Sequence, residues 1–279
     1  MFLTATLLPL MLQAGLDPTR GGVPDYSADI QDRPPRELSI IDAPQPTSWL
    51  AQCLDQLEDE PTRAHVQAQI RRDTTNGQDR VLANHCLGLA STELGRWEEA
   101  RAAFTAARQE TPAEETRLRA RFGAMAGNAA LVTGDLPGAL VLLDAARTDA
   151  LAAQAGGMQG LIALDRARVL VGLEQLDAAE AALAEARMFQ PDDAETRLLS
   201  ATLLRRMGKL ADAQEQVEEA ARLDPTAPAI GLEAGVIAIL DGREEAARSS
   251  WQSVIDLSPG TEFATSAQSY LDQLGPTEQ

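Results

Sequence analysis

The chain has 279 residues, which is enough to bury a sizeable core in one or two domains. Aromatic residues make up only 4% of it while alanine and leucine are abundant, so the composition favours an all-helical protein over one built from strands. The formal net charge of −18 argues against sequence-independent binding of nucleic acid and against adhesion to anionic lipid, because both need clustered Lys and Arg.

The first predicted element is the apolar segment at residues 1–16, which is uncharged from Phe2 to Leu16. It is shorter than the roughly 20 residues of a membrane-spanning helix. It suits the apolar core of a secretory signal with cleavage after Ala14. We therefore expect an exported, periplasmic protein with no membrane span in the mature chain. No Lys or Arg precedes the apolar run, although a secretory signal normally begins with a positive charge. If the segment is not a signal, the protein is expected to be cytoplasmic.

Residues 17–47 contain six prolines and scattered charges without a helical period. This composition predicts a Pro-rich disordered linker, either a passive tether or a docking peptide for an aromatic-lined groove. A helical pattern begins at Ser48. Residues 48–58 and 61–73 are expected to form a leading hairpin, whose first helix places its apolar side chains on one face at Trp49, Leu50, Cys53, Leu54 and Leu57.

A period of 34 residues marks the C-terminal part of the chain. Three sets of landmarks share that spacing: the alanines Ala179, Ala213 and Ala247, the prolines Pro191, Pro225 and Pro259, and the glycines Gly208 and Gly242. Periods of this length are typical of stacked helical units.

The strongest copy of this pattern covers residues 81–114 and is marked, in order, by Leu87, Gly88, Gly95, Ala100, Phe104, Ala107 and Pro112. This spacing resembles the tetratricopeptide repeat family. The resemblance implies a right-handed α-solenoid of stacked helix-turn-helix repeats over residues 48–279. The repeats are expected near 81–114, 120–153, 160–193, 194–227 and 228–261, followed by a capping helix at 262–275.

The repeat positions have physical reasons. A small residue allows close approach of two helices, a large apolar residue fills the space that remains, and a proline ends the second helix because it cannot continue it. We assign these structural roles to Gly88, Ala100, Phe104, Pro112, Ala139, Ala179, Pro191, Ala213, Pro225, Ala247, Trp251 and Pro259.

The spacing lengthens in the middle of the chain, where Ala100, Ala139 and Ala179 are 39 and 40 residues apart. The extra residues fit longer helices or loops near 113–119 and 152–160. The second stretch contains Gly156, Gly157 and Gly160, but no strand precedes them and no Lys-Ser/Thr follows, so a phosphate-binding loop is disfavoured. We expect a flexible connection there.

The resemblance also implies that the first helix of each repeat lines a concave groove that binds an extended or helical peptide. The residues expected to form the peptide-binding site are His85, Arg121, Asn128, Arg168, Thr202 and Arg205. Three arginines on one face of an acidic protein suggest a site for an acidic segment or a C-terminal carboxylate. The alternative is that these arginines are solvated or paired within the protein.

The cysteines and histidines do not predict a catalytic or metal site. Cys53 and Cys86 fall on first helices of neighbouring hairpins, where they form a disulfide if the chain is exported or remain two small buried side chains. His85 and Cys86 are adjacent on a helix and point about 100° apart, which disfavours a catalytic dyad. No cofactor or metal ligand set is predicted.

The sequence therefore predicts a non-catalytic scaffold or assembly adaptor whose partner is another protein or a peptide segment and not nucleic acid. Two alternatives stay open: a periplasmic binder of a small ligand or cell-wall glycan, and a regulatory module of a separate enzyme. The oligomeric state is left open.

Overall fold

The computed structural model of the protein describes residues 48–275, and these residues form thirteen α-helices and no strand. The helices are α1 (Ser48–Asp59), α2 (Pro61–Thr74), α3 (Gln78–Glu93), α4 (Trp97–Glu110), α5 (Thr116–Val132), α6 (Leu136–Ala152), α7 (Gly156–Gly172), α8 (Leu176–Phe189), α9 (Ala194–Arg206), α10 (Leu210–Leu223), α11 (Pro228–Leu240), α12 (Glu244–Leu257) and α13 (Glu262–Leu274). The signal-like segment at 1–16 and the Pro-rich stretch at 17–47 lie outside the described residues, as do residues 276–279.

Each helix packs against the next one along the chain, and further contacts join α1 to α3, α5 to α7 and α9 to α11. The pairs α3–α4, α5–α6, α7–α8, α9–α10 and α11–α12 are called units 1 to 5. The hairpin α1–α2 precedes them, and α13 packs on both helices of unit 5. This arrangement confirms the all-α solenoid expected from the 34-residue period.

The turn inside each unit depends on one residue with positive φ. Gly95, Gly134, Gly208 and Gly242 occupy it in four units, with φ between 68° and 78°. Unit 3 has Glu174 there, with φ 60°, and a side chain makes this conformation costly. Four of the second helices end two residues before a proline: Pro112, Pro191, Pro225 or Pro259.

Small residues of the first helices face large side chains of the second helices, as the sequence predicts. A β-carbon added at Gly88 would overlap the ring of Phe104, and one added at Gly235 would overlap the indole of Trp251. At Gly127 an added β-carbon would lie 2.6 Å from Cγ of Leu143. Close approach of the two helices in units 1, 2 and 5 therefore requires the missing side chain, whereas units 3 and 4 have the small residues Ala167 and Ala201 at this position.

The flexible connection expected at 152–160 is wrong. Helix α6 continues to Ala152, and α7 already begins at Gly156, so the extra residues lengthen helices. Gly160 lies inside α7, where an added β-carbon would be 2.8 Å from Cγ of Gln190. That glycine serves the packing of α7 against the end of α8 and gives no flexibility to a loop.

Cys53 on α1 and Cys86 on α3 are both buried and are joined in a disulfide, with their Cα atoms 6.3 Å apart. Of the two alternatives left open by the sequence, the structure therefore has the bridge. It links the leading hairpin covalently to unit 1, beside an apolar cluster that includes Leu50, Ala64 and Leu87.

Candidate functional site

The six residues predicted to bind a peptide and nine others, at spacings of three or four along the first helices, lie on α3, α5, α7, α9 and α11. We call these fifteen residues the first-helix face. They are His85, Leu89, Thr92, Arg121, Ala124, Asn128, Leu164, Arg168, Val171, Leu198, Thr202, Arg205, Leu232, Val236 and Ile239. His85, Leu164 and Arg168 are buried and the other twelve are partly exposed. The face thus offers apolar and polar side chains together, at spacings of three and four along each helix.

Two of the three arginines on this face are paired within the protein. Arg168 donates to Oδ1 of Asp165 at 2.6 Å on its own helix, and it also forms a hydrogen-bonded ion pair with Glu195 at the start of α9. Arg205 on α9 donates from Nε to Oε1 of Glu233 on α11 at 2.7 Å. The alternative of internal pairing therefore describes Arg168 and Arg205.

Asn128 extends this polar row toward the N-terminal units. Its amide nitrogen donates to Oδ2 of Asp165 at 3.0 Å, while its carbonyl oxygen is buried without a partner in the described part of the chain. Together with the arginine pairs, this contact links α5 to α7, α7 to α9 and α9 to α11. The polar row therefore joins the first helices of four successive units.

Arg121, in the second turn of α5, differs from the other two arginines. Its Nε is buried and has no hydrogen-bond partner among residues 48–275. Burial lowers the pKa of its guanidinium because desolvation disfavours the charged form. The group still carries its charge at neutral pH, because a guanidinium does not lose its proton in proteins.

His85 lies beside Arg121 on the neighbouring helix α3. Its imidazole packs edge-on against the ring of Phe122, with ring centroids 5.1 Å apart, and its Nε2 is buried without a partner. Burial, and then the positive charge of Arg121, lower the pKa of His85 to about 3. His85 is therefore neutral at physiological pH and adds no second positive charge beside Arg121.

The second helices carry a different set of contacts between neighbouring units. Arg101 on α4 pairs with Asp135 at the N-terminus of α6 at 2.7 Å, and Arg147 on α6 donates to Glu185 on α8 at 3.0 Å. His65 on α2 contacts Glu99 on α4 at 2.8 Å. These pairs lie away from the first-helix face and hold successive units in register.

Sequence reasoning missed the acidic partners Asp165, Glu195 and Glu233, since it counted the arginines alone. The spacing of Asp165 and Arg168, three residues apart on one helix, was the available sign of internal pairing. Thr202 is partly exposed on the face as expected. No group of three or more His, Cys, Asp or Glu within residues 48–275 could hold a metal ion, and none of the thirteen helices is long and apolar enough to cross a membrane.

Comparison with known proteins agrees with the repeat pattern. Residues 198–261, which span most of units 4 and 5, match the tetratricopeptide repeat model. Residues 198–261 therefore carry the tetratricopeptide repeat pattern. No curated protein sequence matches it.

Solved structures of several tetratricopeptide-repeat proteins share this fold. PilF of Pseudomonas aeruginosa superposes with a TM-score of 0.63 at 15% identity, covering 80% of this chain and 96% of PilF. YrrB, described as having an unusual peptide-binding site, gives 0.54 at 22% identity, covering 76% and 98%. MamA of Desulfovibrio magneticus RS-1 gives 0.57 at 16% identity, covering 65% and 97%. At these identities the likeness concerns the fold alone.

Proposed function

We propose that this protein is a non-catalytic scaffold that binds a peptide segment of another protein along the first-helix face. The observation that carries the proposal is the row of partly exposed side chains on five successive first helices. Seven of them are apolar: Leu89, Ala124, Val171, Leu198, Leu232, Val236 and Ile239. An extended apolar row of this kind offers contact area to a peptide several residues long.

The polar atoms along the same row give direction to such binding. Apolar contact is non-directional, whereas hydrogen bonds to Thr202, Asn128 or Arg121 would fix the register of a bound backbone. The peptide-binding site named for YrrB lends this proposal support by analogy, because that protein shares the fold.

A photo-crosslinking experiment tests the face directly. A photoreactive amino acid is placed at Val236 on the face or, as the matched control, at Val141, an exposed apolar residue of the second helix α6. Irradiation in the native cells should yield a specific adduct from position 236 and none from position 141. The captured partner is then purified and its binding to Val236→Lys is compared with binding to Val141→Lys.

A partner that binds the purified protein and is lost only from Val236→Lys supports the scaffold. Adducts formed equally from both positions, or a partner that binds both lysine variants equally, would contradict it and move binding off the first-helix face. Circular dichroism of both variants checks that each retains its helices.

We also propose that the protein works outside the cytoplasm, in a periplasm. Two features support this: the signal-like segment at 1–16, and the disulfide between Cys53 and Cys86, which persists in an oxidising compartment. Alkylation of freshly lysed native cells should leave both cysteines unlabelled until a reductant is added under denaturing conditions. Labelling without reductant, together with protein recovered only from the cytoplasmic fraction, would refute export.

A further inference from the structure

One positive charge on the first-helix face is left without a carboxylate. Arg168 and Arg205 each contact a glutamate of the next unit, whereas Arg121 contacts none within the described residues 48–275. The chain has 42 acidic residues against 24 basic ones, so a buried arginine nitrogen without an acid is unexpected. Charged groups removed from water are normally paired, because leaving one unpaired costs desolvation energy.

The position of Arg121 within its unit explains why it is unpaired. Arg121 lies six residues before Gly127, and Glu195 lies six residues before Ala201, so the two occupy the same slot in units 2 and 4. Glu195 is paired by Arg168, which directly follows Ala167 in the preceding unit. The equivalent residue preceding unit 2 directly follows Gly88, and it is the apolar Leu89.

The surroundings of Arg121 combine one charge with apolar walls. Partly buried Leu89, Leu118 and Met125 pack against the cluster that contains Phe122. His85, nine-tenths and more buried, presents an Nε2 that has no partner in the described structure. A neutral imidazole nitrogen offers one donor or one acceptor according to its tautomer. An unpaired cation and an unpaired imidazole nitrogen thus lie together on the face.

We propose that Arg121 binds a single carboxylate of the bound peptide, one that is flanked by an apolar residue in contact with Leu89 and Leu118. This proposal rests on the proposed function and names the chemistry of its partner. A guanidinium and a carboxylate form charge-assisted hydrogen bonds, which are stronger where water is excluded. The number of carboxylates is one, because the face has one uncompensated cation and the net charge of −18 repels a polyacidic partner.

Small probes test the site without the natural partner. N-acetyl-leucine carries a terminal carboxylate beside an apolar side chain, and N-acetyl-glutamate-α-amide carries only a side-chain carboxylate. N-acetyl-leucine amide carries none and is the negative control. Each is titrated into the whole protein while NMR follows the Nε–H resonance of Arg121 and the ring resonances of His85.

We expect saturable shifts at Arg121 and His85 with one or both carboxylate probes and none with the amide. Tighter binding of N-acetyl-leucine would indicate a C-terminal carboxylate in the partner, and tighter binding of N-acetyl-glutamate-α-amide would indicate an acidic side chain. In Arg121→Met the shifts at His85 should vanish, and in Arg121→Lys they should return with weaker affinity, since lysine restores the charge without the guanidinium fork. Arg117→Met, an exposed arginine of the same helix, is the matched control and should respond like the native protein.

Equal responses to the acids and the amide, or unchanged responses in Arg121→Met, would overturn the carboxylate site. So would a partner captured by crosslinking at position 236 that binds Arg121→Met as tightly as the native protein. That last result leaves the scaffold itself standing, whereas failure of the crosslinking comparison overturns the scaffold whatever the probes show.

Discussion

Gly235 on α11 lies against the indole of Trp251 on α12, and the indole nitrogen donates a hydrogen bond to the backbone oxygen of Leu232 at 3.1 Å. The packing of the tryptophan therefore depends on the glycine. The absent side chain lets the ring reach the backbone of the first helix, and the ring then fills the unit. The pairs Gly88–Phe104 and Gly127–Leu143 show the same packing with smaller side chains against the glycine.

Replacing Gly235 by alanine should destabilise unit 5, because the added methyl group collides with a buried ring. We expect a loss of about 1–3 kcal/mol in the free energy of unfolding, the usual cost of overpacking. Thermal and urea denaturation of Gly235→Ala measures it. Gly157→Ala is the matched control, since nothing lies within 4 Å of that added β-carbon, and this helical substitution should be neutral or stabilising. Equal effects of the two substitutions would contradict the packing argument.

The period of 34 residues predicts this architecture because each unit repeats the same contacts between near neighbours in sequence. The glycine, alanine and proline positions are local requirements of turns and close approach, so they are visible in one sequence. The pairing of Arg168 and Arg205 was harder to predict. It depends on which acid of the next unit faces which arginine, and a carboxylate such as Glu195 or Glu233 is one among many in so acidic a chain.

Removing only one partner of the ion pair between Arg205 and Glu233 should destabilise the protein more than replacing both partners with apolar residues. Both side chains are less than a tenth exposed, so Glu233→Gln removes a buried negative charge from beside the guanidinium. Loss of one partner of a buried ion pair typically costs about 3–5 kcal/mol. In a double-mutant cycle in urea, Arg205→Met and Glu233→Leu are made singly and together, and the double variant should recover much of the loss. Additive effects of the two single substitutions would show that the contact contributes no coupling energy.

The disulfide should stabilise the leading hairpin more than the C-terminal units. Joining residues 33 apart in sequence lowers the entropy of the unfolded chain, and such bridges contribute about 2–4 kcal/mol. In the variant Cys53→Ala, Cys86→Ala, amide exchange should accelerate in α1 and α2 while α11 and α12 keep their protection, because each unit of a solenoid contacts only its neighbours. Reductant should reproduce this pattern in the native protein and leave the variant unchanged. Uniform loss of protection along the chain would contradict a local role.

Acid should weaken the protein through His85. Its pKa is about 3 in the folded state and 6.5 in its unperturbed form, so between these values the unfolded chain binds the extra proton. Stability conferred by the neutral imidazole is complete above pH 6.5 and declines as the pH falls, at up to about 1.4 kcal/mol per pH unit. Urea denaturation at pH 7, 6 and 5 measures the decline. His85→Gln cannot bind this proton. Its free energy of unfolding should therefore fall less steeply with decreasing pH, and the difference in slope should correspond to about one proton fewer taken up on unfolding. Parallel slopes for the two proteins would show that His85 is already protonated in the folded state or stays neutral on unfolding, and would contradict the assigned pKa.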